Sequence, residues 1–313
     1  MYNLSDFGSY TVAGRAVSIT DREKTEVWFT PSTSFTIDPN GTYPIEQAYV
    51  QYFIPADRNH LPPIVLLHGG GMTGTTWETT PDGRPGWLQL LVQRGYEVHV
   101  VDGVERGRAG WCALEGIWEG DPIQRPLEEA WTLFRFGARD DFVRRRPFQG
   151  QRFPVDALEA LGRSFVPRWT STTSAAIEAF GAVLARVGPA IVICHSQGGE
   201  IAFAAGAPRG DLVAAVVAIE PSGFGSDLAA WCERDVLAVY GDYHDVGDGV
   251  PDLLGKGRQW FGELSAAGGD GDIIHLPEHG TSGNSHMIMM DDNNARVLDI
   301  VVQWIEGKFL AVE

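Results

Sequence analysis

The stretch Ile191-Val192-Ile193-Cys194-His195-Ser196-Gln197-Gly198-Gly199-Glu200 decides the reading of this chain. Its first four residues form a continuous apolar run, the signature of a strand buried on both faces. A serine follows at once, and then a helical pattern. A strand-to-helix turn this tight strains the serine backbone, so small residues are needed two positions before and two after it. Cys194 and Gly198 meet that need, with cysteine in the place of the usual glycine. Such a turn exposes the serine hydroxyl and aims the amide of Gln197 at the same point. The helix N-terminus adds a field that favours negative charge there. A serine that merely caps a helix gives a similar local pattern, so the rest of the chain has to agree.

Working outward, short apolar runs stand at 64–67, 97–102, 190–194, 213–219, 236–240 and 272–276. Helical stretches at 87–94, 174–187, 200–207, 252–267 and 292–309 separate them. Buried strands alternating with helices predict a mainly parallel sheet covered on both faces. Residues 10–20, 25–37 and 46–55 alternate and are rich in Val, Thr and aromatics, which predicts antiparallel strands ahead of that sheet. Residues 111–170 break the alternation and are rich in Trp, Arg, Pro and Phe. They read as a cap inserted over the C-terminal edge of the sheet, leaving 1–110 and 171–313 as the core. The run Arg144-Arg145-Arg146 reads as a solvated face.

The 313 residues are 44% hydrophobic and 21% charged, enough apolar surface for a sizeable core. Twenty-four basic against forty-one acidic residues give a net charge of −17. That charge repels phosphate backbones and anionic membranes and excludes nucleic acid as an expected partner. Cys112, Cys194 and Cys232 are too few for a disulfide framework and too scattered for a zinc cluster. No apolar run is long enough to span a bilayer. Residues 1–10 lack the features of a signal peptide, so a cytoplasmic, reducing location is expected. The sequons at Asn3 and Asn40 are then chance matches.

A serine hydroxyl needs a base. In a serine-first order the base follows the last strand, which makes His286 the first candidate and His279 the second. The orienting acid falls between, at Glu220 or Asp242, each ending a strand. Glu220 ends the strand next in sequence after the nucleophile strand, and sequential strands are often neighbours. Asp242 sits in an acidic loop, where a solvated carboxylate needs no partner. His68-Gly69-Gly70-Gly71-Met72 follows the first buried strand, and its amides can face an oxyanion. Gly70 and Gln197 are the candidate donors. Gly69-x-Gly71-x-x-Gly74 also matches a dinucleotide fingerprint, but that motif requires a helix opening on the glycines. Residues 75–85 hold a Trp, two Pro and a Gly instead. Glu278-His279 with His286, and His244-Asp245 with Asp248, lack a metal-ligand spacing. No metal and no cofactor are expected. Trp77, beside the glycine loop, and Trp118, Trp131 and Phe134 in the insertion are the candidates for the wall of a substrate pocket.

Taken together, His68–Gly74, Trp77–Arg84, Cys194–Gly198, Glu220-Pro221 and Gly283–Met287 resemble the α/β-hydrolase superfamily. In detail they resemble a bacterial carboxylesterase group of the esterase 713 type. The resemblance spans residues 68–287. It implies a small-molecule ester substrate, a nucleophile at Ser196, a base at His286, an acid at Glu220 and oxyanion donors at Gly70 and Gln197. Some members carry adjacent cysteines where Gly70 and Gly71 stand, so a redox feature there is not expected. Homodimers occur in such a group. A hydroxynitrile-lyase-like lyase and a non-catalytic ligand receptor are the other functions the same fold supports.

Overall fold

The apolar runs lie side by side. In the computed structural model, which describes residues 2–246 and 251–310, ten strands form. They are β1 (Leu4–Ile19), β2 (Thr25–Thr30), β3 (Thr33–Ile37), β4 (Gly41–Pro55), β5 (Ile64–Leu67), β6 (Val98–Asp102), β7 (Ala190–His195), β8 (Val213–Ile219), β9 (Asp235–Tyr240) and β10 (Asp272–His275). Eight of them make one sheet in the order β1-β4-β6-β5-β7-β8-β9-β10, while β2 and β3 pair separately as a ribbon. The six strands from β6 across to β10 run parallel. β1 and β4 run antiparallel along one edge.

Alternation along each buried strand splits its side chains between two cores. Ile64, Leu66, Ile191 and Ile193 face one side, Val65, Leu67, Val192 and Cys194 the other. On the first side lie α1 (Trp87–Gln93) and α7 (Asn294–Phe309). α7 meets the sheet through Val297, Leu298, Val301, Val302 and Ile305, one stripe at helical spacing. On the second side lie α4 (Thr173–Val187), α5 (Gln197–Gly206) and α6 (Leu253–Ala266). Burial on both faces is why these strands read as unbroken apolar runs.

β5 is flanked by β6 on one side and β7 on the other. The chain therefore reverses its direction of travel across the sheet at β5. The crevice at the C-terminal ends of β5 and β7 is where such sheets hold ligands, and both the glycine loop and Ser196 open onto it.

Residues 111–170 hold two short helices, α2 (Leu127–Leu133) and α3 (Leu158–Gly162), with irregular chain between. Trp131, Phe134, Phe136, Phe153, Leu158 and Leu161 of this segment join the core on the α1/α7 side. The arginine run behaves as read: Arg145 and Arg146 pair with Glu159 and Asp141 at the surface. Among the described residues no helix is long and apolar enough to cross a membrane.

Two readings of aromatic residues need correction. Trp77 and Trp131 are fully buried core side chains, not parts of a substrate wall. Trp77 packs on Trp87 with ring centroids 5.8 Å apart. Trp131 packs edge-on against Phe136 and Phe142 and donates Nε1–H to Ala138 O at 2.9 Å. An aromatic-rich stretch serves a core as readily as a pocket, and composition cannot separate the two. Trp77→Ala should therefore cost about 3–5 kcal/mol of stability, the usual range for emptying a buried aromatic site. Urea titration checks this, with half-buried Trp118→Ala as the comparison; equal, small losses for both would place Trp77 at the surface.

Candidate active site

Ser196 stands between β7 and α5 with φ 52° and ψ −119°. A non-glycine residue rarely adopts this conformation, and such strain gathers at functional positions. The surroundings hold it. Ser196 N–H donates to Ile219 O at 3.0 Å, and Ser196 O accepts from Ser222 N at 3.1 Å. The small neighbours are required: a Cβ on Gly198 would lie 2.6 Å from His68 O, and one on Gly199 would lie 2.9 Å from the Pro221 side chain. The turn that follows Glu220 thus packs directly against the start of α5.

Glu220 also has a positive φ, 48°, and it is fully buried. A bare carboxylate could not stay ionised there. Arg135 Nη2 donates to its Oε1 at 2.6 Å, and so does Gly241 N at 2.6 Å. His286 Nδ1 contacts Oε2 at 3.1 Å, and His244 Nε2 lies 3.6 Å from Oε1. Burial pushes this carboxyl up, but Arg135, with His244 and His286, outweighs it and holds the group well below the usual carboxylate range. Glu220 is therefore an anion, and His286 Nδ1 must carry the proton of that contact. Nε2 is left as the acceptor. Burial also pushes the His286 imidazole down from its ordinary value, against the pull of Glu220.

Four elements fix His286 in place. Its N–H donates to Phe134 O at 3.0 Å, and its ring stacks on Phe134 at 5.5 Å and 19°. Its carbonyl accepts from His195 Nε2 at 3.0 Å, which brings the base loop against the residue preceding Ser196. Asp291 accepts from Ser285 N, Ser285 Oγ and Asn284 Nδ2 at 2.7–2.9 Å. Asp291 is fully buried, which pushes its carboxyl up to about 7. Asp242 accepts from Gly283 N at 3.0 Å and gives its own N–H to Asn284 O at 2.7 Å. Among the described residues, neither Ser196 Oγ nor His286 Nε2 has a hydrogen-bond partner; catalytic contacts of this kind often form or tighten only with substrate.

The glycine loop presses on the same point. A Cβ on Gly69 would lie 2.7 Å from His195 Nδ1 and 3.1 Å from Ser196 Cβ. Only glycine lets the loop backbone approach the serine this closely. His68 donates Nδ1–H to Gly69 O at 2.8 Å and accepts at Nε2 from Gly103 N at 3.1 Å. Burial, with Arg106 nearby, pulls this imidazole down to about 4, so it stays neutral in a single tautomer. Gln197, as the first residue of α5, has an amide without a helical acceptor. After the loop comes one 3-10 turn, Gly74–Trp77, and α1 starts only at Trp87. No helix opens on the glycines, as the dinucleotide reading would require.

Of the predicted residues, the structure brings Ser196, Gln197, Glu220, His286, Phe134 and the Gly70 loop together. His279 is exposed in the turn after β10 and makes no hydrogen bond to these residues. Trp118 is half-buried against Trp169, which also packs on Trp111, and its Nε1–H donates to Glu46. Asp242 is not the solvated carboxylate expected, because it binds the base loop. From sequence, Arg135, Asp291 and His195 receive no role, and His244 is weighed only as a metal ligand. The signal for Arg135 was present as a lone arginine between Phe134 and Phe136. Among the described residues no group of three metal-ligating side chains converges; Asp248 lies outside them.

No protein-family model matches the chain. A probable secreted lipase, phiG, of a fungal species (strain ATCC 74256) is 27% identical over 322 residues, which cover 85% of this chain and 87% of that protein. A solved structure, that of a novel bacterial esterase, superposes with a TM-score of 0.85 at 31% identity, covering 98% of this chain and 97% of that one. With that identity along nearly the whole of both chains, on a sheet and strand-to-helix serine of the kind described above, this chain belongs to the α/β-hydrolase superfamily, in the family of that bacterial esterase.

Proposed function

We propose that the protein hydrolyses carboxylic esters through an acyl-enzyme formed on Ser196, with His286 as base and Glu220 as the orienting acid. The observation that carries this reading is the buried His286 Nδ1–Glu220 Oε2 contact of 3.1 Å beside a serine held at φ 52°. Ser196 Oγ attacks the ester carbonyl and gives its proton to His286 Nε2. Glu220 stabilises the imidazolium that forms. The amides of Gly70 and Gln197 receive the oxyanion, with the N-terminal field of α5 behind them. The imidazolium then protonates the leaving alcohol. Water, deprotonated by His286, splits the acyl-enzyme and frees the carboxylic acid. Names of esterase and lipase among the relatives favour hydrolysis over the lyase and receptor functions. Residues 111–170 serve as the roof of this site, with Phe134 against the base. Pairing of two copies belongs to the same reading, since the β2–β3 ribbon exposes Trp28, Phe29 and Phe35 at 62%, 60% and 56%.

Three outcomes follow. Ser196→Ala should lower kcat by several orders of magnitude, because only oxyanion and binding contributions survive loss of the nucleophile; more than a tenth of wild-type ester turnover would remove Ser196 from the mechanism.

Glu220→Gln should cost up to about four orders of magnitude in kcat, whereas Asp242→Asn should mainly lower stability, by about 1–3 kcal/mol for a weakened charged acceptor. Measuring both on one activated ester separates the two carboxylates, and the reverse ranking would make Asp242 the acid.

The acid limb of kcat/KM should fall below the ordinary histidine value of about 6.5, because burial disfavours the His286 cation. Glu220 favours that cation, so in Glu220→Gln the limb should move lower still. A limb at or above the ordinary value in wild type would assign it to another group.

A further inference from the structure

Two arginines, Arg106 and Arg168, lie beside the glycine loop, and a third, Arg125, stands near Arg168. Two carboxylates stand among them, Glu105 and Glu129, and both are engaged. Glu105 accepts from the backbone N of Trp169 at 2.9 and 3.0 Å and from Arg106 Nε at 3.2 Å. Glu129 pairs with Arg125. Arg168 is thus the surplus cation. It is half-buried, and among the described residues its guanidinium has no hydrogen bond and no ion pair. Nearby, Arg106 is buried and its Nη1 also lacks a partner. A half-buried guanidinium to which no carboxylate is bonded keeps a charge that an anionic ligand can meet.

The position of Arg168 is fixed from both sides. Val166 N donates to Gly71 O at 3.0 Å, and the backbones of Arg168 and Ile123 exchange hydrogen bonds of 2.7 and 3.0 Å. Trp169 N is held by Glu105. The side chain lies against the loop that holds the candidate oxyanion donors: a Cβ on Gly70 would sit 3.0 Å from Arg168 Nη1 and 2.9 Å from Gln197 Oε1. The same segment sets Phe165 against Phe134, 6.1 Å between centroids, and Phe134 stacks on His286. Phe134 and Phe165 thus stand on the base side of the site, and Arg168 stands beside the Gly70 loop on the candidate oxyanion side.

We propose that Arg168 is an anion subsite, and that the preferred substrates are esters bearing a carboxylate within a few bonds of the scissile carbonyl. This rests on Ser196 being the ester-cleaving nucleophile. Arg168 acts by binding the carboxylate of the substrate, so its effect falls on charged substrates and spares neutral ones. In a chain of net charge −17, one unpaired guanidinium at the site offsets the repulsion an anionic substrate meets elsewhere.

The test compares matched esters by pH-stat: monoethyl glutarate against ethyl butanoate for a carboxylate in the acyl part, and 4-acetoxybenzoate against phenyl acetate for one in the leaving group. Wild type should prefer the charged member of at least one pair, and the pair that shows the preference tells which half of the substrate reaches Arg168. Arg168→Gln should reduce kcat/KM for that charged ester about tenfold to a hundredfold, the range of one charged hydrogen bond, mainly through KM. It should leave the neutral partner within about threefold, and Arg168→Lys should restore part of the loss. Equal losses on charged and neutral esters would make Arg168 an oxyanion donor or a structural residue and overturn the proposal, as would a wild type without preference in both pairs. Neutral-ester turnover with fluorophosphonate labelling of Ser196 reports separately on the hydrolase reading. If no ester is cleaved, calorimetric binding of glutarate or benzoate to the intact protein, lost in Arg168→Gln and kept in part in Arg168→Lys, still supports the subsite. Absence of binding to wild type refutes it.

Discussion

The arrangement depends on keeping one carboxylate charged where no water reaches it. Glu220 is fully buried, and an unpartnered anion in that position would take up a proton. Arg135, the Gly241 amide and His286 supply the compensation. Each comes from a different part of the chain: the 111–170 segment, the end of β9 and the loop before α7. Arg135 also donates Nε–H to Asp242 O at 2.8 Å, so the guanidinium clamps the carboxylate and the β9 loop together. A buried pair of this kind is a poor source of net stability, but removing one partner is severe. It acts here as a geometric lock that exists only when all three segments are folded.

This dependence explains what the sequence could disclose. The β7–Ser196–α5 turn was legible because its demands are local: an apolar run, small neighbours and a helix start, within ten residues. The strands and helices of the sheet were legible for the same reason, since burial on both faces writes itself into continuous apolar runs. The glycine loop was legible from its chemistry, because only glycine allows the contact with His195 and Ser196. Arg135, Asp291 and the backbone role of Asp242 depend on partners 41 to 107 residues away or on burial that no local pattern shows. Trp77 and Trp131 illustrate the same limit in reverse. Their aromatic character was visible, but whether the rings face a core or a crevice is decided by tertiary packing.

Residues 111–170 look like an insertion in sequence, yet they act as part of the body. Trp131, Phe136 and Phe153 extend the core of the α1/α7 side, while Phe134 supplies both a ring face and a carbonyl to His286. The segment cannot swing away as a lid without stripping Arg135 from Glu220. Motion at the site, where catalysis requires it, is thereby confined to the parts of this segment that do not hold the lock, such as the more exposed stretch around 111–122.

The two arginines of this segment that reach the crevice carry opposite electrostatic roles. Arg135 is wholly buried and bonded to Glu220, so its charge is spent inside the protein. Arg168 is half-buried and has no bonded carboxylate, so its charge stays available beside the Gly70 loop. The difference follows from where acceptors lie. Around Arg135 the end of β8 offers a carboxylate and the β9 loop a carbonyl; around Arg168 both neighbouring carboxylates are bonded to other donors. An acidic chain that leaves a guanidinium unpaired beside a polar crevice retains a localised positive potential against an overall negative field. Low-dielectric walls such as Phe134 and Phe165 sharpen that contrast, because they reduce the screening between the cation and any charge that enters.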